Sequence, residues 1–297
     1  MTNYIDLPSV NVKQIRKKFY IPESIKHPAK THIPTIMWIL ERFVKDGDVV
    51  LDPMAGIFTT GVEGMRLFPN CVFIGVELED RVVKMARANI RKVGNIARDD
   101  KLKKIGKAIC IRGDARELEK VLQEKVDKII TSPPFGRAQS GGGIAKKGYT
   151  KGERTDLVGK RSYMPENTGN DPNNIDKLRY GSIEKLIPNS SHADSENAKS
   201  KTYLGEMLKV YRQCYRVLRP DGLMILVTKD FIRNKKRVHL TEDTIKLCEL
   251  AGFKHIATYH RKIEHPSFWR ILYKKRYPDA EQIEEEDITV FKKGFEQ

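Results

Sequence analysis

Short apolar runs alternate with longer stretches of helical periodicity through the first half of the chain. Residues 48–52 (DVVLD) form an apolar run bounded by Gly47 and Pro53, the pattern of a buried parallel strand. Residues 71–76, 108–112 and 128–131 repeat that pattern, and the segments 80–93 and 115–123 between them have helical spacing. Strands alternating with helices predict right-handed crossover units and a parallel sheet. Further on, Leu204, Met207, Leu208, Tyr211, Tyr215 and Leu218 recur at helical spacing, and Arg219-Pro220-Asp221-Gly222 ends that helix. Residues 223–228 predict a fifth strand and 241–251 a helix closed by Gly252. Residues 253–259 and 269–273 predict a terminal antiparallel hairpin.

The pattern divides the chain into five parts: an N-terminal extension (1–25), a nucleotide-type α/β half (26–135), a polar insertion (136–200), the rest of the α/β domain (201–278) and an acidic tail (279–297). The insertion is rich in Gly, Lys, Asn and Ser. A segment that long without apolar periodicity is expected to serve as a lid or a recognition element. The tail opens DAEQIEEED and reads as a solvated face.

Composition then narrows the class. With 297 residues and 39% hydrophobic content the chain can bury one sizeable core plus an insertion. It has no run of eighteen apolar residues, and MTNYIDLPSVNVKQIRKKFY lacks the apolar core of a secretory signal, so a cytoplasmic protein with no membrane partner is expected. Cys71, Cys110, Cys214 and Cys248 stand apart in apolar or helical stretches, as buried reduced thiols do, and no metal site is expected. The formal charge of +16 favours a phosphate backbone as partner, although 32% charged residues also fit a heat-adapted surface laced with ion pairs.

In open parallel sheets, ligands bind beyond the carboxyl ends of the strands. Asp52 stands at the first strand end, Glu77 with Leu78 at the second, Asp114 between Gly113 and Ala115 at the third, and Ser132 at the fourth. After Asp52 come Pro53, Met54, Ala55 and Gly56, small enough at the last two positions for close ligand approach, and then Thr59 and Thr60, either of which can start a helix. Glu77 follows Asp52 at about the ~20-residue spacing at which an acidic side chain accepts ribose hydroxyls in related folds. Asp114 is placed either to receive an adenine amino group or to cap the helix that follows it. Acidic groups at successive strand ends, without a P-loop lysine, point to an adenosine that carries no phosphates.

Asp-Pro-Met-Ala-Gly followed by two threonines, and Thr131-Ser132-Pro133-Pro134-Phe135 after the fourth strand, resemble the amino-methyltransferases that modify adenine N6 or cytosine N4. The resemblance implies a Rossmann-like class I methyltransferase fold: a mostly parallel seven-stranded sheet, helices on both faces, a C-terminal antiparallel hairpin, and S-adenosylmethionine as cofactor. His27-Pro28-Ala29-Lys30 and the helix after it resemble the family's N-terminal cofactor motif, which implies His27 and Lys30 near the methionine end. Phe58 departs from the pattern, since the family usually has a second glycine there.

An exocyclic base amine is a poor nucleophile, so an enzyme must offer acceptors for its hydrogens and fix its geometry. Ser132 supplies a hydroxyl, and the Ser132 or Pro133 carbonyl a second acceptor. Pro133 and Pro134 hold these oxygens without adding a donor, and Phe135 can stack on the base. By resemblance, Ser in the first position implies cytosine N4. Lys146, Lys147, Lys151, Arg154, Lys160 and Arg161, interleaved with Tyr149 and Tyr163, are the candidate nucleic-acid contacts. The lack of a large recognition domain favours RNA, with resemblance to archaeal-type ribosomal RNA cytidine-N4 methyltransferases. A DNA cytosine-N4 methyltransferase of a restriction system and a non-catalytic binding module on the same fold are the alternatives.

Overall fold

A computed structural model describes residues 3–27, 30–100, 104–134, 171–187, 201–233, 235–264 and 268–294. Three helices lead in: α1 (Val12–Phe19), α2 (Pro22–Lys26) and α3 (Ile33–Phe43). The sheet then begins with β1 (Val49–Asp52), α4 (Thr59–Leu67), β2 (Val72–Glu77), α5 (Asp80–Asp99), β3 (Lys107–Arg112), a 3₁₀ turn (Ala115–Glu117) with α6 (Leu118–Val121), and β4 (Val126–Thr131). Beyond the insertion lie α7 (Tyr203–Val217), β5 (Leu218–Thr228), a small ribbon of β6 (Phe231–Arg233) and β7 (Lys236–Val238), α8 (Leu240–Leu250), β8 (Phe253–Lys262), α9 (Phe268–Arg276) and β9 (Glu285–Lys293).

The seven-stranded sheet has the order β3-β2-β1-β4-β5-β9-β8, with β3 to β5 parallel and β9 antiparallel to both its neighbours. This is the Rossmann-like class I arrangement expected, including a C-terminal antiparallel hairpin. Strand order reverses between β1 and β4, and a crevice opens at such a switch point.

Alternating side chains send each strand's apolar residues into two cores. Val50, Ile130, Ile225 and Val227 join the core under α1 to α5, whereas Leu51, Ile129, Met224 and Leu226 join the core under α6 to α8. Burial of both faces explains why the central strands read as continuous apolar runs. All four cysteines are buried free thiols. No helix among the described residues is long and apolar enough to cross a membrane.

Two expectations fail in the C-terminal part. Residues 269–273, expected as a hairpin strand, lie in the helix α9 (Phe268–Arg276). The true partner of β8 is β9, which arises from the supposed solvated tail 279–297. Ile288, Val290 and Phe291 are fully buried there, and β9 sits between β5 and β8, so this stretch is part of the sheet. Its carboxylates at 285–287 find hydrogen-bond partners from outside the strand. Asp287 accepts from Thr241 Oγ1 at 2.6 Å and meets His260 Nδ1 at 2.8 Å, Glu286 pairs with Arg261, and Glu285 accepts from Tyr4. The N-terminal extension is likewise packed on the domain: Tyr20 is fully buried and donates to Glu63 at 2.7 Å.

Candidate active site

The cofactor loop is shaped by backbone geometry. Gly56 has φ +54° and Phe58 φ +62°, both left-handed, and they turn the chain from β1 into α4. The loop is pinned by Gly56 N–H to Glu77 Oε2 at 2.9 Å, and by the buried amide of Asn89 to Ile57 O at 3.0 Å. Phe58 occupies the space that two glycines leave open. A Cβ on Gly61 would lie 2.2 Å from its ring, and one on Gly75 3.0 Å. Where similar loops carry a second glycine, this chain has a residue whose ring fills the core beneath the loop.

Around this loop opens a cavity of about 490 Å³ at the switch point. His27, Lys30, Pro53, Met54, Ala55, Gly56 and Thr59 line it, as do Glu77, Leu78, Gly113, Asp114 and Ala115. Ser132, Pro133 and Pro134 line it from the end of β4. Asp52 and Thr60 stand apart from the other expected residues, because they lie beneath the cavity and not on its wall. Asp52 is the buried last residue of β1, and its carboxylate accepts from Thr60 Oγ1 at 2.8 Å and Met54 N at 3.3 Å. Burial pushes the Asp52 carboxyl up to about 6. Phe135 and the expected nucleic-acid contacts from Lys146 to Tyr163 lie outside the described residues.

Asp114 shows the capping geometry: its side chain accepts from Arg116 N at 2.9 Å and opens the 3₁₀ turn. Burial pulls its carboxyl up, but hydrogen bonds from Arg116 win and hold it below the usual value. Arg116 also pairs with Glu206 of α7 and donates to Asn173 O at 3.1 Å. Glu77 is shifted upward by burial, and its Oε1 accepts from Glu79 N at 2.9 Å. These groups suit the ribose and adenine of S-adenosylmethionine, and a carboxylate-lined end suits its net positive charge.

At the end of β4, Ser132 Oγ donates to Val227 O at 3.1 Å. A carbonyl can only accept, so the hydroxyl proton is committed there and the oxygen's lone pairs face other donors. Tyr203 Oη donates to Pro134 O at 2.6 Å, with its ring stacked on Tyr180 at 5.5 Å. The loop is thus held from β5 on one side and α7 on the other.

Several wall residues escape a reading along the chain. Arg16 of α1 reaches Thr31 O at 2.8 Å and so fixes the loop that carries Lys30 and His32. Residues 171–187 return to the cavity: Asp171 N donates to Glu79 at 3.1 Å, and Asn173, Asn174, Ile175 and Asp176 line the wall. Lys229, Arg261 and Glu286 line the opposite end. The Asp-Pro-Asn-Asn turn at 171–174 is a local signal for the first group. Nothing local marks the second.

Residues 39–151 match the model of the UPF0020 family, described as RMKL-like, methyltransferase domain. The chain is 35% identical over 104 residues to the tRNA (guanine(10)-N2)-dimethyltransferase of Methanothermobacter thermautotrophicus, covering 34% of this chain and 26% of that protein. It is 32% identical over 127 residues to the U6 snRNA (guanine-N(2))-methyltransferase THUMPD2 of Bos taurus, covering 42% and 23%. The chain therefore spans about a quarter of the length of these curated relatives. Among solved structures, TrmN from Thermus thermophilus aligns with TM-score 0.48 and 14% identity over 92% of this chain and 52% of that one. The matched stretch is a methyltransferase domain, and its cofactor is S-adenosylmethionine.

Proposed function

We propose that this chain methylates the exocyclic N4 amine of cytosine in RNA. One observation carries the reading: Ser132, its hydroxyl proton committed to Val227 O, shares one cavity with the carboxylates at the ends of β2 and β3. When bound, S-adenosylmethionine supplies a methyl group on a cationic sulfur. The chain's part is to present the amine. Ser132 Oγ accepts one amine hydrogen, a carbonyl of Ser132 or Pro133 accepts the other, and localising the nitrogen lone pair in line with the methyl gives the main rate gain. Water is the outlet for the spare proton, since a methylated amine is acidic enough to need no strong base.

The neutral hydroxyl favours cytosine on chemical grounds. Cytosine presents its N4 donor beside the N3 lone pair, which a carboxylate in this position would repel. Guanine presents N2–H beside N1–H, two donors that a carboxylate would receive together. Guanine N2 is the second reading because three relatives are named for that amine. The same three names favour RNA over DNA, although a DNA adenine methyltransferase of Escherichia coli, YhdJ, is also similar at 27% over 106 residues, covering 30% of this chain and 35% of that protein. The basic insertion 136–200 is proposed as the element that contacts the strand, with Phe135 stacking on the base.

Transfer of labelled methyl from the cofactor to ribosomal RNA, transfer RNA and genomic DNA, followed by nucleoside analysis, tests this. Label in N4-methylcytidine from RNA is the expected result. Label in N2-methylguanosine moves the assignment to the second reading, and label in DNA alone overturns both.

A further inference from the structure

The cavity is bipolar. Glu77, Asp114 and Asp176 stand at the end toward β2 and β3, while Lys229 and Arg261 stand at the end toward β5 and β8. The cofactor's net positive charge suits the first end, and His27 and Lys30 on the wall can serve its single carboxylate, which leaves the second end for another part of the reaction. We propose that Lys229 and Arg261 receive a phosphate of the substrate strand, next to the nucleotide whose amine lies at Ser132. This deepens the RNA reading above and rests on it.

Three features place the phosphate there. Arg261 is oriented before any ligand arrives: Glu286 takes its Nε at 3.0 Å and its Nη2 at 2.9 Å, and only 16% of the side chain is exposed. A guanidinium has five N–H donors in a fixed fork, so a partner on one edge leaves the other edge aimed. Lys229 stands directly after the last residue of β5, and burial lowers its pKa, with Arg270 and Arg261 adding to the effect and Glu286 opposing it. Lys229 and Arg261 both line the wall at this end, and an anion that pairs with them recovers part of the desolvation cost of a partly buried cation.

The third feature is position. Val227, which holds Ser132, is two residues before Lys229 at the end of β5. Two residues of extended chain span about 7 Å, which is nucleotide scale. An amine at Ser132 and a phosphate at Lys229 can therefore belong to one nucleotide or to immediate neighbours.

The test measures binding and not turnover. Cytidine, cytidine 5′-monophosphate, guanosine and guanosine 5′-monophosphate are titrated by calorimetry into the full chain saturated with S-adenosylhomocysteine. The monophosphate is expected to bind about tenfold or more tightly than its nucleoside, the size of one charge-assisted hydrogen bond. Lys229→Met and Arg261→Gln should each cut that preference to about threefold or less, while Lys229→Arg keeps it and S-adenosylhomocysteine affinity stays within about twofold in all three. A wild-type chain that binds monophosphates no better than nucleosides, or that binds neither, overturns the proposal. So do variants that fold, bind the cofactor product and keep the full preference. If the phosphate preference holds while no methyl reaches RNA, the RNA reading fails and the anion site stands.

Discussion

Replacing Phe58 by glycine would restore the residue usual in similar cofactor loops and remove a left-handed backbone strain, yet we expect it to destabilise the protein. Holding a non-glycine residue at φ +62° costs about 1–2 kcal/mol, which glycine would recover. Glycine adds about 1 kcal/mol of unfolded-chain entropy in the opposite direction. The ring is the larger quantity. It is 1% exposed and seated against Gly61 and Gly75, and losing a buried phenylalanine costs about 3–5 kcal/mol. The balance is a net loss of about 2–5 kcal/mol, readable as a lower urea midpoint at unchanged slope. Phe58→Ala keeps the strain as well as the cavity and should be no more stable than Phe58→Gly. Coupling to the neighbouring glycine gives a sharper check. Gly61→Ala should be destabilising in the wild-type chain, because its Cβ would sit 2.2 Å from the ring, and stabilising by about 1 kcal/mol in the Phe58→Gly chain, where only helix propensity remains. A Phe58→Gly protein as stable as wild type would refute the claim that this ring, and not the loop conformation, explains the departure.

Other expectations bear on the site. Ser132→Ala should cut turnover by about 10²-fold or more with S-adenosylmethionine affinity within about twofold, and unchanged turnover would remove Ser132 from the chemistry. Asp114→Ala should weaken S-adenosylmethionine binding by about tenfold in calorimetry; an unchanged affinity would leave Asp114 as a cap for the 3₁₀ turn alone. Tyr203→Phe keeps the stacking on Tyr180 but frees Pro134 O, so turnover should fall about tenfold at unchanged cofactor affinity, and wild-type turnover would show that this hydrogen bond positions nothing. Asp52, pushed from 3.8 to about 6, binds a proton more tightly folded than unfolded. Its contribution is therefore full below pH 3.8 and is lost as pH rises to about 6, a fall of about 3 kcal/mol that Asp52→Asn should abolish in urea melts of the cofactor-free protein.

The half of the fold that binds the cofactor was legible because each of its signals is local. A strand buried on both faces writes itself as an apolar run, and the residues at its carboxyl end then border the crevice; Glu77, Gly113 and Ser132 line the cavity in this way. Asp52 shows its limit, since a carboxylate that ends β1 can turn inward and work through Thr60 and Met54 instead of touching the ligand. The C-terminal half was misread for a related reason. A short stretch such as 269–273, four apolar residues around Arg270, satisfies strand and helix alike, and length arbitrates poorly at that size. In 285–287 the acidic residues hid a strand, because what makes them acceptable in a sheet is supplied by Tyr4, Thr241, His260 and Arg261, none of them neighbours in sequence. The consequence is functional. Glu286 and Lys229 reach the cavity only through strands β9 and β5, and Asn173 and Asn174 only because a stretch within the insertion packs back against it. The end of the cavity toward β2 and β3 is assembled largely from successive local motifs, whereas the end toward β5 and β8 is assembled from long-range pairings. A one-dimensional reading of this chain therefore reaches the first end of the cavity well before it reaches the second.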